Sequence, residues 1–399
     1  MRLAERMQRL GTETAFDVLV RARALEAAGR DVIHLEIGEP DFDSPAPVIA
    51  AGQASLAAGE THYGPAAGLP ELRAAIAGWI GRTRGMQVDP SQVIVMPGAK
   101  PVIFYTALAL LEPGDEAIVP DPGFPIYESM VRFTGATPVS WPLREARDFR
   151  PDPADLARLL SPRTRLVILN SPHNPTGGVL TGADLDAIAT IVRDRDLLVL
   201  SDEIYGQMLY DGEHASIATR PEMGERTVLL DGFSKTFAMT GWRIGFGVFP
   251  PSLIPPIERL VINSVSCTPT FTQRAALAAL DDGWPVARAM LGEFRERRDF
   301  LVPALNAVPG IACRMPAGAF YAFPNISGLG VSAEDFADRL LQDHGVATLA
   351  GTAFGPTGAG HLRLSYANSL EHLHRAVERI RECAGALAAR TTSRSAPAP

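Results

Sequence analysis

The chain has 399 residues, of which 46% are apolar and 21% charged, and its mean hydropathy is +0.07. This length can bury a large core and form two or three domains. A net charge of −8 argues against nucleic acid or an anionic membrane as the main partner. Three cysteines without C-x-x-C spacing predict a reduced cytoplasmic protein, with neither a disulfide framework nor a metal site. No apolar run approaches the ~18 residues that a membrane span needs.

Lysine is unusually rare in this sequence. Only Lys100 and Lys235 are present, although lysine and arginine together number 37. Arginine cannot lose its proton in proteins, so it cannot replace lysine as an amine nucleophile. Both lysines are therefore candidates for chemistry.

Between about residues 90 and 249, short β-branched runs alternate with helical stretches. This alternation predicts an α/β fold with a mostly parallel sheet that is covered on both faces. The predicted strands cover residues 92–96, 116–120, 164–170, 197–202, 226–232 and 242–249. After about residue 284 the pattern changes to a long helix over 286–306, two strands and two amphipathic helices, which predicts a smaller α+β domain.

Four segments follow from this pattern. We predict an N-terminal segment that packs with the small domain, a large domain, a C-terminal small domain and a disordered tail. Their bounds are 1–46, 47–284, 285–390 and 391–399.

The strongest local motif is GFSKTFAMTGWRIG, over residues 232–245. It places Lys235 directly after a predicted strand, at the edge where α/β sheets bind ligands. A desolvated amine beside another cation can form a Schiff base there. Ser234 and Arg243 could hold a phosphate group nearby. The alternative is a surface turn with a solvated lysine, which the scarcity of lysine disfavours.

Polar side chains also follow two other predicted strands. Asp202, in LVLSDEIY, could keep a pyridine nitrogen protonated, and Tyr205 could donate to a phenolate oxygen. The alternatives are a helix cap for Asp202 and a core position for Tyr205. Asn174, in LNSPHNPTGG, offers a donor and an acceptor to a ligand, unless it serves only a turn.

Three further motifs offer binding groups. Ala99 and Lys100 begin a predicted helix after a strand, so their N–H groups could bind a phosphate. Phe124 follows a strand and could stack on an aromatic ring, although a lone phenylalanine is more often part of the core. Arg363 lies inside an apolar strand and needs an anionic partner, either a substrate carboxylate or a structural Asp or Glu.

Taken together and in chain order, these motifs resemble the class I and II aminotransferases of fold type I, which use pyridoxal 5′-phosphate (PLP). Within them, the sequence is most similar to the aspartate-aminotransferase-like branch. The resemblance extends from LEIGEPDFDSP at 35–45 to LRLSYA at 362–367. It implies the PLP-dependent transferase fold, in which a large domain with a seven-stranded, mostly parallel sheet is joined to a smaller α+β domain.

The resemblance also implies a role for each candidate residue. Lys235 would bond the cofactor and form the catalytic set with Asp202 and Tyr205. The implied cofactor-binding residues are Ala99, Lys100, Phe124, Asn174, Asp202, Tyr205, Ser234, Lys235 and Arg243, together with Tyr63. Tyr63 would reach the phosphate of the other subunit, which implies a homodimer with shared active sites. Gly38, Asn174 and Arg363 would bind the substrate.

The implied reaction is a ping-pong transfer of an amino group between an L-amino acid and a 2-oxo acid. Lys100 favours an acidic substrate, aspartate or glutamate with 2-oxoglutarate, unless it only adds positive charge beside the phosphate. A helper threonine is expected at Ala15, where Thr14 is adjacent.

Two other functions stay open at this point. One is a PLP-dependent lyase on the same fold. The other is a PLP-binding regulatory protein, which the early start of the cofactor domain and the negative net charge disfavour.

Overall fold

The computed structural model describes residues 2–394. In chain order, the strands are β1 (Ile33–His34), β2 (Val93–Met96), β3 (Glu116–Asp121), β4 (Thr137–Pro142), β5 (Thr164–Asn170), β6 (Leu198–Asp202), β7 (Thr227–Gly232), β8 (Gly245–Val248), β9 (Tyr321–Ala322), β10 (Val346–Ala347), β11 (Leu349–Ala350) and β12 (Leu362–Ser365). The α-helices are α1 (Thr14–Ala27), α2 (Ala46–Ala57), α3 (Pro70–Arg84), α4 (Lys100–Leu110), α5 (Pro125–Thr134), α6 (Pro153–Leu159), α7 (Gly182–Val192), α8 (Ile254–Ser264), α9 (Thr270–Asp281), α10 (Trp284–Asn306), α11 (Ala333–His344) and α12 (Leu370–Arg394).

A seven-stranded sheet forms the centre of the molecule. Its strand order is β2-β8-β7-β6-β5-β3-β4, and every strand except β8 runs in the same direction. The predicted mostly parallel sheet is confirmed. Strands such as β2, whose four residues are all buried, are apolar throughout because helices cover both faces. The chain therefore has the α/β architecture that its alternating pattern predicts.

The direction of these strands determines where a site can form. Since six of the seven are parallel, their carboxyl ends meet at one edge of the sheet. The segments after β2, β3, β5, β6 and β7 all leave from this edge. They are the segments that carry the polar motifs of the sequence.

The remaining strands form two small sheets. β1 pairs in parallel with β10, and β12 lies between β11 and β9 in an antiparallel sheet that carries Arg363. α12 contacts both α10 and α11. The small domain was predicted with this α+β composition, while the three boundaries between the four predicted segments stay predictions.

The predicted tail requires one correction. α12 extends to Arg394, so residues 391–394 are helical rather than disordered, and residues 395–399 lie outside the described range. The alanine-rich sequence before them, AGALAAR, has high helix propensity and continues the helix.

Among the described residues, no helix is long and apolar enough to cross a membrane.

Candidate active site

A cavity of about 430 Å³ lies at the carboxyl edge of the large sheet, in the size range of small-molecule sites. Eleven of the twelve predicted site residues line it. These are Gly38, Ala99, Lys100, Phe124, Asn174, Asp202, Tyr205, Ser234, Lys235, Arg243 and Arg363. Tyr63 does not contribute to the cavity wall and is 89% exposed. Residues far apart in the sequence thus converge, because the strands that carry them end at one edge.

Lys235 projects into the cavity just after β7. Its Nζ donates a hydrogen bond to the carbonyl oxygen of Gly38 at 2.5 Å. Burial lowers the pKa of the Lys235 amine to about 8, and the charges of Arg363 and Lys100 act in the same direction. The neutral, nucleophilic form of this amine is therefore far more populated near neutral pH than it is for a lysine in water.

Asp202 ends β6 with its carboxylate buried in the same cavity. Its Oδ2 accepts a hydrogen bond of 2.5 Å from the hydroxyl of Tyr127, and its Oδ1 accepts one of 3.2 Å from the Ile204 N–H. Burial raises the pKa of Asp202 to about 6, although these two hydrogen bonds lower it. A cationic ring nitrogen beside this carboxylate would favour its ionised form.

Two tyrosines connect the large sheet to the small domain. The hydroxyl groups of Tyr205 and Tyr321 are hydrogen-bonded at 2.6 Å, and the Tyr321 ring lies 4.8 Å from the Arg363 guanidinium. A Cβ atom on Gly38 would lie 2.1 Å from the Tyr321 hydroxyl oxygen. Glycine at position 38 therefore lets the segment after β1 approach this tyrosine pair.

Arg363 is buried without a carboxylate partner in any ion pair of the described residues. Its Nη1 lies 3.4 Å from Asn174 Oδ1, its Nη2 donates to the carbonyl oxygen of Glu36, and its buried Nε has no hydrogen-bond partner in the described chain. A structural Asp or Glu is thus not its partner here. A buried cation with a free donor favours an external anion.

The N-terminus of α4 and the segment after β7 form a cradle for a small anion. Gly98, with φ of +91°, precedes Ala99, the N-cap residue of α4. A Cβ on Gly98 would lie 2.3 Å from Arg243 Nη2, and one on Gly245 would lie 2.6 Å from the Ala99 nitrogen. This close approach brings the backbone N–H groups at the start of α4 and the Arg243 guanidinium to the same part of the cavity. Phosphate groups bind to such an arrangement of donors.

Sequence reasoning missed three residues of the site. Tyr127 donates a hydrogen bond to Asp202, and Tyr321 is hydrogen-bonded to Tyr205. Glu13 forms an ion pair with Lys100. Tyr127 and Tyr321 lie within motifs that the sequence displays, DPGFPIY and AGAFYAF, but no spacing shows which side chains they meet. Thr14 and Ala15, at the expected helper position, both line the cavity.

Comparison with known proteins agrees with this arrangement. The family model of aminotransferase class I and II matches residues 30–380. The chain belongs to this family. It is 41% identical to an arginine–pyruvate transaminase of Pseudomonas aeruginosa, over 97% of this chain and 99% of that protein. It is also 41% identical to an aspartate aminotransferase of Pyrococcus horikoshii, over 95% and 96% of the two chains.

Solved structures show the same fold. The aspartate aminotransferase from Thermus thermophilus, solved with maleate, superimposes with a TM-score of 0.91 at 39% identity, over 96% of this chain and 100% of that chain. The protein is therefore an aminotransferase of PLP fold type I, as its motifs predict. It takes amino acids and 2-oxo acids as substrates and uses PLP.

The residues of the cavity fit this cofactor. The neutral amine of Lys235 suits a Schiff base with an aldehyde, the Gly98–Arg243 cradle suits a phosphate, and the buried Asp202 suits a ring nitrogen. Arg363, which lines the same cavity, keeps a free donor at its Nε in the described chain.

Proposed function

We propose that this aminotransferase moves the amino group of an acidic L-amino acid, aspartate or glutamate, to a 2-oxo acid such as 2-oxoglutarate. The observation that carries the proposal is that two basic side chains, Lys235 and Arg363, line one cavity. Arg363, without a carboxylate of its own, holds the α-carboxylate of the substrate. Lys235 then lies where an amine can act on the substrate Cα.

The proposed cofactor contacts divide by chemistry. Lys235 holds the cofactor covalently, Asp202 faces the ring nitrogen, and Tyr205 and Asn174 donate to the phenolate oxygen. The phosphate contacts are the backbone N–H groups of Ala99 and Lys100 with the side chains of Ser234 and Arg243, and Phe124 stacks on the ring. Phe124 lies edge to face with Tyr127, with ring centroids 5.6 Å apart, which fixes its orientation beside Asp202.

The bound cofactor supplies an electron sink that stabilises the negative charge left when a substrate loses its α-proton. The chain supplies the proton transfer. Lys235 Nζ, whose pKa burial lowers to about 8, takes the proton from the substrate Cα in its neutral form. Arg363 and Asn174 hold the carboxylate so that this Cα–H bond faces the amine. Gly38, whose carbonyl accepts from Lys235, closes the cavity over the substrate.

The preference for an acidic substrate depends on Lys100. Its ammonium lies on the cavity wall, 5.5 Å from the centre of the Phe124 ring, and can bind a side-chain carboxylate. The names of two relatives, aspartate aminotransferases from P. horikoshii and T. thermophilus, support an acidic substrate.

We further propose a homodimer in which Tyr63 of the partner subunit completes the phosphate site. Tyr63 is 89% exposed, and the exposed apolar side chains Leu56, Ile262 and Val265 lie at or near the ends of α2 and α8. Exposed apolar side chains of this kind are common at interfaces. A cytoplasmic location, which the three free cysteines favour, stays a prediction.

The test is an absorbance titration of the holoenzyme with single amino acids, followed by assays with a 2-oxo acid. Aspartate or glutamate should remove the visible cofactor band, and 2-oxoglutarate should restore it. Release of pyruvate and ammonia without need for a 2-oxo acid would instead support the lyase alternative. No spectral change with any amino acid would contradict the proposed function.

A further inference from the structure

The outer end of the active-site cavity is built around one ion pair. Lys100 Nζ donates a hydrogen bond to Glu13 Oε1, which lies at the N-cap of α1. Glu39 lines the same cavity, and its carboxylate accepts a hydrogen bond from the Thr240 hydroxyl. Glu13 and Glu39 thus both line the cavity together with Lys100.

The two partners of the pair differ in exposure. The Lys100 side chain is 48% exposed, whereas the Glu13 side chain is 17% exposed. The Lys100 ammonium is also at the end of a long, flexible side chain, which can reach into solvent. Lys100 can therefore leave the pair and remain hydrated, whereas Glu13 would stay behind as a mostly buried carboxylate.

Glu13 also acts on the interior of the site. Burial lowers the pKa of Lys235 and that of Arg363, and the negative charge of Glu13 opposes this effect at both residues. Its carboxylate is thus electrostatically coupled to the amine and to the carboxylate anchor. A substrate that Arg363 holds by one end lies in the space between them.

This asymmetry sets the cost of binding each kind of side chain. An acidic side chain must draw Lys100 away from Glu13 and leave that carboxylate without its partner, which is costly in a partly buried site. A cationic side chain can take the place of Lys100 beside Glu13, while Lys100 turns into solvent. The second exchange keeps the buried charge paired.

Two aromatic rings favour a cation at the same place. Lys100 Nζ lies 5.9 Å from the centre of the Phe16 ring and 5.5 Å from that of Phe124. Aromatic faces at these distances attract ammonium and guanidinium groups, and a planar guanidinium can stack on them.

We propose that the cavity also accepts amino donors with a cationic side chain, and that Glu13 is the residue that determines this specificity by exchanging Lys100 for the substrate cation. The proposal rests on the proposed aminotransferase function of the same site. It adds a second substrate class, amino acids that end in a guanidinium or an ammonium group. Acidic substrates then pair with Lys100 and cationic donors pair with Glu13.

The test compares L-arginine with L-citrulline, which has nearly the same shape but a neutral end. Each is mixed with the holoenzyme without an acceptor, and the rate of the spectral change is followed at increasing substrate concentration. The wild-type enzyme should favour arginine over citrulline by roughly tenfold or more, the range of a hydrogen bond to a charged group. Glu13→Gln should reduce this ratio of rates to near one. The same variant should raise the rate of the spectral change with aspartate.

Lys100→Gln is the matched variant, because it removes the other half of the same ion pair. It should lower the rate with aspartate while keeping the preference for arginine. Binding of 5-guanidinopentanoate, which has no amino group to transfer, provides a measure that is independent of turnover. It should bind the wild-type enzyme more tightly than hexanoate, and this difference should disappear in Glu13→Gln.

Three results would overturn the inference. They are equal rates for arginine and citrulline in the wild type, an unchanged ratio in Glu13→Gln, or equal affinities for the two amino-free probes. If aspartate still reacts and transfers its amino group, the proposed function survives such a result. If no amino acid reacts at all, the proposed function itself fails.

Discussion

Arg84 and Arg363 are both buried guanidinium groups, but the chain satisfies their charges differently. Arg84 donates to Glu203 at 3.1 Å, to Asp231 at 2.5 Å and to the Thr83 hydroxyl at 2.8 Å. The hydrogen-bond acceptors of Arg363 are an amide oxygen and a backbone carbonyl, and its Nε lacks a partner in the part of the chain that the structure describes. The first arginine has its counter-ions within the fold, and the second needs one from outside.

The pKa values of the two groups reflect this contrast. Burial alone would lower the pKa of Arg84, but the carboxylates of Asp231 and Glu203 raise it above its usual value. Burial lowers the pKa of Arg363, and the charges of Glu13 and Glu36 oppose this lowering without outweighing it. A buried charge with a complete set of partners supports structure, and a buried charge without one marks a ligand site.

The largest effect is expected on the free energy of unfolding, when Arg84 is replaced. Arg84→Met would leave the buried carboxylates of Glu203 and Asp231 without their cation, at a cost of about 3–5 kcal/mol in the free energy of unfolding. Denaturant unfolding of the apoprotein measures this loss. Arg132→Met is the control, because that arginine pairs with Glu128 at the surface, and it should have a much smaller effect. Equal losses for both variants would refute the structural role of Arg84.

Arg363 should show the reverse pattern. Arg363→Lys keeps the charge but loses the planar fork, so kcat/KM should fall roughly 10- to 100-fold for every substrate. The free energy of unfolding of the apoprotein should change little, because the fold supplies this arginine with no carboxylate. A variant that loses stability but keeps its activity would reverse the assignment of the two arginines.

Tyr63 extends the comparison to the proposed dimer. Tyr63→Phe should weaken PLP binding by about 1.5–3 kcal/mol, the value of a hydrogen bond to a charged group. Equilibrium dialysis of the cofactor measures this change, and sedimentation gives the oligomeric state. A fully active monomer would contradict the shared site.

The smallest effect concerns the pH dependence of Lys235 in the apoprotein. Burial lowers its pKa from 10.5 to about 8, so the amine becomes reactive toward acylating reagents as the pH rises through 8. Trace labelling across pH, with peptide analysis, gives the midpoint. Arg363→Met should move the midpoint upward, because the charge of Arg363 contributes to the lowering. A midpoint near 10.5 in the wild type would contradict the buried environment.

The lowered pKa of Lys235 also predicts how the stability of the apoprotein depends on pH. The unfolded chain binds a proton at Lys235 up to about pH 10.5, whereas the folded apoprotein loses it near pH 8. Folding is therefore opposed by this group at low pH, and its contribution to stability should improve as the pH rises from 8 to 10.5. Lys235→Met should remove that part of the pH dependence.

Much of the fold was predictable because its signals are local. The strand over 164–170 coincides with β5, and the runs that end at Asp202 and Gly232 coincide with the ends of β6 and β7. Continuous apolar runs between turns indicate buried parallel strands whatever their partners are. Lys235 was predictable for a chemical reason, since lysine is otherwise nearly absent.

The missing parts of the site depend on contacts between distant segments. Tyr127 and Asp202 are 75 residues apart, Tyr205 and Tyr321 are 116 apart, and Glu13 and Lys100 are 87 apart. No periodicity connects these positions, because the pairing follows from how α1, α5 and β9 pack against the sheet edge. The helical residues 391–394 were missed for a local reason, since polar composition outweighed the propensity of the preceding turns.

The most direct test of the account is the position of the cofactor. Borohydride reduction of the holoenzyme, followed by peptide mapping, should place the pyridoxyl group on Lys235, whose amine has a lowered pKa and lines the same cavity as Asp202 and Arg363. Labelling of Lys100, or of neither lysine, would contradict the assignment of the active site.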